Sequence, residues 1–212
     1  MLYIFDWDGT ISNSAAKIVA CMRAATRESG LADLSDDEIK NIIGLGLPEA
    51  IRTLYPEIDD AQLDCVRQGY SANFIGADVT PSPFFEGAME TMQALADAGH
   101  QLAVATGKSR RGLDRVLKKL ELDTFFHSSR CADETASKPH PKMLLELLEE
   151  FDLPASEAVM IGDTEYDMAM AREIGMPRIA VSFGAHHIDR LKPYDPVLCV
   201  DYFPEILGWK HD

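Results

Sequence analysis

Two rhythms of apolar and polar positions run along this chain of 212 residues. Short apolar runs at Leu2 to Phe5, Gln101 to Ala105, Ala158 to Ile161, Arg178 to Val181 and Val197 to Val200 have the length and content of buried strands, and a further strand is predicted near Phe126 to Arg130. Between them the apolar residues recur every three or four positions, as at Leu113, Val116, Leu117 and Leu120. That spacing predicts helices over Gly87 to Ala98, where Gly99 stops the turn, over Ser109 to Leu120, Lys142 to Phe151 and Tyr166 to Ile174, with a short one near Phe203 to Leu207. Strands alternating with helices of this length predict an α/β fold, a parallel sheet covered by helices on both faces.

One crossover breaks the alternation. A single helix suffices to join two parallel strands, yet the segment from Ser14 to Pro83 carries about four. The first places Ile18, Cys21, Met22 and Ala25 on one face after Ser14 as N-cap; the second, Ser35 to Ile43, opens with the capping-box pair Ser35 and Glu38; the third, Pro48 to Leu54, has proline in its first turn; the fourth covers Asp60 to Asn73. Pro81-Ser82-Pro83 ends the run. The expected organisation is an α/β core from residues 1–13 and 84–212, with a helical cap subdomain, residues 14–83, inserted through two chain crossings.

Composition narrows the partners. With 46% hydrophobic and 26% charged residues the chain is an ordinary globular protein. A net charge of -15, with no basic run, argues against nucleic acid and anionic membrane as partners. No apolar stretch approaches membrane-spanning length and no basic leader precedes the first strand, so the expected location is cytoplasmic. Cys21, Cys65, Cys131 and Cys199 lack the spacing of a zinc site and are expected to be buried, reduced thiols.

The polar residues that remain gather where strands end, which in an open parallel sheet is where ligands bind. Asp6-Trp7-Asp8-Gly9 follows the first run; Thr106-Gly107-Lys108-Ser109 follows the second and leads into a helix; Ser137-Lys138-Pro139 precedes another helix; Gly162-Asp163-Thr164-Glu165-Tyr166-Asp167 follows the fourth strand. Each has a plain alternative. Asp6 to Gly9 could be a turn, Ser109 and Asp163 could cap helices, and Lys138 could be a solvated loop residue. Together on one rim they fit phosphoryl transfer through an aspartyl phosphate. Asp6 would attack, Asp8 would exchange protons, Asp6 and Asp163 with a main-chain carbonyl would hold Mg²⁺, Lys138 would add a positive charge, and Thr106 with the Gly107 backbone would cradle the phosphate.

With these four motifs in this order the chain resembles the haloacid dehalogenase superfamily, in its phosphoglycolate phosphatase-like branch with a helical cap. The resemblance implies a Rossmann-like core, Asp6 as nucleophile, Asp8 as acid and base, and Mg²⁺ on Asp6, Asp163 and the Asp8 carbonyl. It implies for Asp167 an outer position, orienting Lys138 or a water on the metal. An acid at position 8 points to phosphate chemistry rather than dehalogenation. Trp7 stands where relatives often have Phe, Leu or Met, and its ring is expected to point away from the acid pair; Glu86 stands where they often have proline. Gly44, Leu45 and Gly46 match the specificity loop of the cap, although a plain helix-helix turn explains them equally well, and Arg23 and Arg52 are candidate cations for a substrate carboxylate. The implied activity is a Mg²⁺-dependent phosphatase acting on a small phosphorylated metabolite. A phosphosugar mutase, a pyrophosphatase and a non-hydrolytic phospho-accepting or sensing module are the alternatives, the mutases differing in having Glu-Asp where this chain has Gly162-Asp163.

Overall fold

Six parallel strands make one sheet in the computed structural model, which describes residues 1–77 and 81–210. Residues 78–80, inside the expected 14–83 insertion, and 211–212, at the end of the expected core, lie outside that description. The strands are β1 (Leu2–Phe5), β2 (Gln101–Thr106), β3 (Ser128–Cys131), β4 (Ala158–Gly162), β5 (Arg178–Val181) and β6 (Leu198–Val200), in the order β3-β2-β1-β4-β5-β6. The helices are α1 (Ala15–Glu28), α2 (Asp36–Lys40), α3 (Leu47–Leu54), α4 (Asp60–Ala77), α5 (Ala88–Asp97), α6 (Arg110–Lys119), α7 (Lys142–Phe151), α8 (Glu165–Glu173) and α9 (Ile188–Leu191).

β1 lies in the middle, and its uninterrupted apolar sequence follows from having both faces covered. Tyr3 and Phe5 face one side with Met92 and Leu95 of α5 and Phe203. Leu2 and Ile4 face the other with Met143, Leu144 and Leu147 of α7 and Met170 of α8. Strands are added outward from β1 through β2 to β3; the chain then crosses back to lay β4, β5 and β6 on the opposite side. The direction of winding therefore reverses between β1 and β4, which opens a crevice between their carboxyl ends. Asp6 and Asp163 flank it, one just past each strand.

Helices α1 to α4 form a layer with its own apolar centre, built from Val19, Met22, Ala25, Ile39, Ile51 and Val66 among others. Their charged residues pair with one another on the outside, Arg27 with Asp33 at 2.6 Å and Arg52 with Asp60 at 2.7 Å. The capping box at Ser35 and Glu38 forms with both hydrogen bonds.

Several local expectations are corrected. Ser14 precedes α1 but makes no side-chain cap, because its hydroxyl donates to Asp8 Oδ1 at 2.6 Å instead. α2 stops at Lys40 and the chain turns through residues 41–44, whereas α4 continues to Ala77. β3 begins at Ser128 rather than near Phe126, since Phe126 turns its ring edge-on to Trp7. α9 has no counterpart in the sequence pattern, and the last segment, Phe203–Gly208, is a 3-10 helix. Cys21 and Cys131 are buried as expected, but Cys65 and Cys199 are exposed. Among the described residues no helix is long and apolar enough to cross a membrane.

Candidate active site

Asp6 is still held in the sheet, its N–H donating to the Ile161 carbonyl at 3.0 Å, so the first acid is fixed by strand pairing rather than by a loop. The chain then turns sharply at Gly9, whose φ of 90° suits glycine. Space demands glycine there too: a Cβ at residue 9 would stand 2.2 Å from Asp163 Oδ2. This close approach lets Thr10 Oγ1 donate to Asp163 Oδ1 at 2.7 Å, while the Ala185 N–H donates to Asp163 Oδ2 at 2.7 Å.

Lys138 reaches the same point from the loop before α7. Its Nζ lies 2.8 Å from Asp6 Oδ1 and 2.7 Å from Asp167 Oδ1, and all three side chains are fully shielded from solvent. Asp167 is also tied back at Oδ2, which accepts from the Thr164 N–H and hydroxyl at 3.1 and 2.7 Å. Thr164, not Asp163, is thus the N-cap of α8, which leaves Asp163 available to the crevice.

Asp6, Asp163 and Asp167 each bring a carboxylate oxygen within 4.8 Å of the others. One ammonium does not balance three buried carboxylates. Burial drives the Asp6 carboxyl well above its usual range, Lys138 pulling it back and the charges of Asp167 and Asp163 adding to the rise. Burial, then the charge of Asp167, pushes Asp163 up to about 7. Burial pulls the Lys138 ammonium down, but Asp167 and Asp6 outweigh it and hold its affinity for the proton above the ordinary value. Asp6 Oδ2 is buried with no hydrogen-bond partner. An all-oxygen donor set with a deficit of positive charge and an orphaned carboxylate oxygen fits a hard divalent cation such as Mg²⁺.

Asp8 sits higher on the rim, its side chain 12% exposed. Lys108 Nζ approaches its two oxygens at 3.0 and 2.7 Å, and Ser14 donates to one of them. Lys108 had no role of its own in the sequence reading, and Ser14 only that of an N-cap. The signal for Lys108 lay in its place two residues after Thr106, in the short segment that follows β2; Ser14 gave none beyond its capping preference. Thr106 is buried and its Oγ1 accepts from the Lys108 N–H at 3.2 Å. Trp7, between the two acids in sequence, is buried against Phe84 and Phe126, away from both.

The turn of residues 41–46 seats the helical layer on this rim. A Cβ on Gly107 would be 2.5 Å from the carbonyl oxygens of both Gly44 and Leu45, and the Gly46 N–H donates to Ser137 Oγ at 2.8 Å. On the other side the Asn41 carbonyl accepts from the Tyr166 hydroxyl at 2.8 Å and lies 3.1 Å from His186 Nε2. Gly44, Leu45 and Gly46 are therefore brought to the site. Arg23 and Arg52 are not: Arg23 is engaged by Asp36 and the Leu34 carbonyl, Arg52 by Asp60, and neither lines the cavity between the layers.

That cavity, about 200 Å³, has Asp6, Asp8, Thr106, Gly107 and Lys108 on the sheet side. Across from them stand Ile18 and Met22 of α1 and Tyr70, Phe74 and Ile75 of α4. Burial, with the charge of Asp8 adding to it, pushes the Tyr70 phenol well above its ordinary value. Lys108 Nζ also lies over the Phe74 ring, 4.8 Å from its centroid, and Lys17 Nζ lies at the same distance.

The fold is that of the haloacid dehalogenase-like hydrolases. The model of that family matches residues 3–181, and the chain belongs to it, as an enzyme of the phosphatase type. It is 33% identical over 214 residues to a chain named "Probable phosphatase IndB" from Dickeya dadantii (strain 3937), covering 99% of this chain and 93% of that one. It is 28% identical over 207 residues to the phosphoglycolate phosphatase of Agrobacterium fabrum (strain C58), covering 95% and 88%. A hydrolase from Pseudomonas syringae shares the fold with a TM-score of 0.89 at 23% identity, covering 98% of this chain and 96% of that one.

Proposed function

We propose that the protein is a Mg²⁺-dependent phosphatase that hydrolyses a small phosphorylated metabolite through a phosphorylated Asp6. The observation that carries this reading is the state of Asp6: fully buried at the winding reversal, with Lys138 on one oxygen and the other without a partner. A carboxylate held this way is oriented for attack and lacks only a cation to offset its charge.

Asp6 attacks phosphorus as the ester oxygen departs, and Asp8 hands that oxygen a proton. Water then attacks the phosphorus of the aspartyl phosphate, giving a proton to Asp8, and Asp6 is released with inorganic phosphate. Lys108, with its Nζ 3.0 and 2.7 Å from the two Asp8 oxygens, holds that side chain in place on the rim. Lys138 offsets charge on the phosphoryl oxygens, and Thr106 with the Gly107 N–H cradles them. Asp6, Asp163 and the Asp8 carbonyl would hold the Mg²⁺, which supplies further neutralisation of the phosphoryl group when bound. Asp167, with both oxygens engaged, orients Lys138.

Residues 14–83 act in this reading as a cap over a core of residues 1–13 and 84–212, excluding water during the transfer. The turn at Gly44 to Gly46 then lies where a leaving group would meet it. Phosphoglycolate is the first substrate to try, given the activity named for the Agrobacterium relative. Phosphate release from p-nitrophenyl phosphate tests the chemistry. Turnover should need Mg²⁺, vanish with EDTA, and fall by about 10³-fold or more in Asp6→Asn. Equal turnover in that variant would remove Asp6 as the nucleophile, and a stoichiometric burst without turnover would favour a phospho-accepting module.

A further inference from the structure

The wall that the helical layer presents to the phosphate site is of the wrong chemistry for a carboxylate. Ile18, Met22, Ile42, Tyr70, Phe74 and Ile75 line it, and among the described residues Ser71 and the Tyr70 hydroxyl are its only side-chain polar groups. The arginines of that layer that could have met an anion, Arg23 and Arg52, are paired elsewhere. Among the described residues the cations that line the cavity, Lys108, Arg111 and Arg115, all stand on the sheet side, and Lys108, next to the phosphate cradle, is held on Asp8, while Lys17 of α1 lies over the Phe74 ring. A carboxylate placed against the helical wall, away from those sheet-side cations, would lose its water without gaining a partner from that wall, which is costly. An alkyl or aryl group in the same place would gain by burial. At about 200 Å³ the cavity also exceeds several-fold the ~30 Å³ share of one water, more room than a two-carbon alcohol needs.

Resting on the phosphatase reading, we propose that the preferred substrate is a phosphomonoester of an apolar primary alcohol, aliphatic or arylalkyl, whose hydrocarbon lies between α1 and α4. Phe74 and Ile75 are the specificity-determining residues. The phosphate is read by the sheet rim, and the leaving group is read by its apolar surface.

The test is a series with matched leaving-group chemistry: ethyl, butyl, hexyl and 2-phenylethyl phosphate, compared with 2-phosphoglycolate, with p-nitrophenyl phosphate and Mg²⁺ as the control for catalysis. kcat/KM should rise about fourfold per added methylene until the cavity is full, the gain expected from burying one such group, and 2-phosphoglycolate should fall below butyl phosphate. Ile75 is 46% exposed, so Ile75→Asp leaves the packing intact; it should lower the hexyl-to-ethyl ratio of kcat/KM at least threefold, and Phe74→Ala should lower it further. A flat or falling alkyl series with turnover of p-nitrophenyl phosphate intact, or an unchanged ratio in both variants, overturns the inference and leaves the phosphatase standing. No phosphate from any ester, the control included, overturns both.

Discussion

The sheet rim and the helical layer above it handle charge in opposite ways. On the rim, Asp6, Asp163, Asp167 and Lys138 are buried together, with more negative than positive charge and little freedom to rearrange. In the layer, Arg23, Arg27 and Arg52 find acidic partners on the outside, and the surface turned toward the rim is apolar. The difference separates two demands. A site that acts on phosphate needs groups whose charge is frustrated until a cation and substrate arrive, while a surface that selects a leaving group needs only shape and polarity.

Four substitutions would break or sharpen this contrast, beyond the loss expected for Asp6→Asn. Lys138→Met should have the largest effect on stability, about 3–5 kcal/mol by urea unfolding, because it leaves buried carboxylates without their partner; a loss under about 1 kcal/mol would mean that the rim is not held by its charges. Next, Ile51→Ala, at a fully buried position in the helical layer, should cost about 2–5 kcal/mol, showing that this layer is packed as tightly as the sheet. Gly107→Ala sets a methyl against the carbonyls of Gly44 and Leu45; kcat should fall about tenfold or more as the layer lifts, while far-ultraviolet circular dichroism stays that of the wild type. Normal kcat there would show that the seat of the helices does not matter to turnover. Lys108→Met should cost less stability than Lys138→Met in the same urea unfolding, since 12% of each side chain in its pair with Asp8 is exposed whereas the Lys138 pairs are fully shielded; an equal loss would mean that the two cations carry the same load.

The rim was legible in the sequence because its chemistry is carried by short segments that follow strands, and strand ends in a parallel sheet converge. Asp6, Thr106, Lys138 and Asp163 meet for that reason. The cavity wall was not legible. Arg23 and Arg52 looked available because their partners are Asp36, thirteen residues from Arg23, and Asp60, across a turn, and pairing at those separations depends on how α1 to α4 pack. Ser14 looked like a cap, because capping is a local property of serine whereas its bond to Asp8 depends on where the chain leaves the sheet. Tyr166 and His186 were missed since both reach a backbone carbonyl, which no residue type announces.

At the turn of residues 41–46 the helical layer meets the rim through main-chain atoms: the carbonyls of Asn41, Gly44 and Leu45 and the amide of Gly46. Such a footing is indifferent to which side chains the rest of the layer carries. On the proposed function, new leaving groups would be accommodated by repainting the inner surface of α1 and α4, while the joint that seats the layer on the rim stays unchanged.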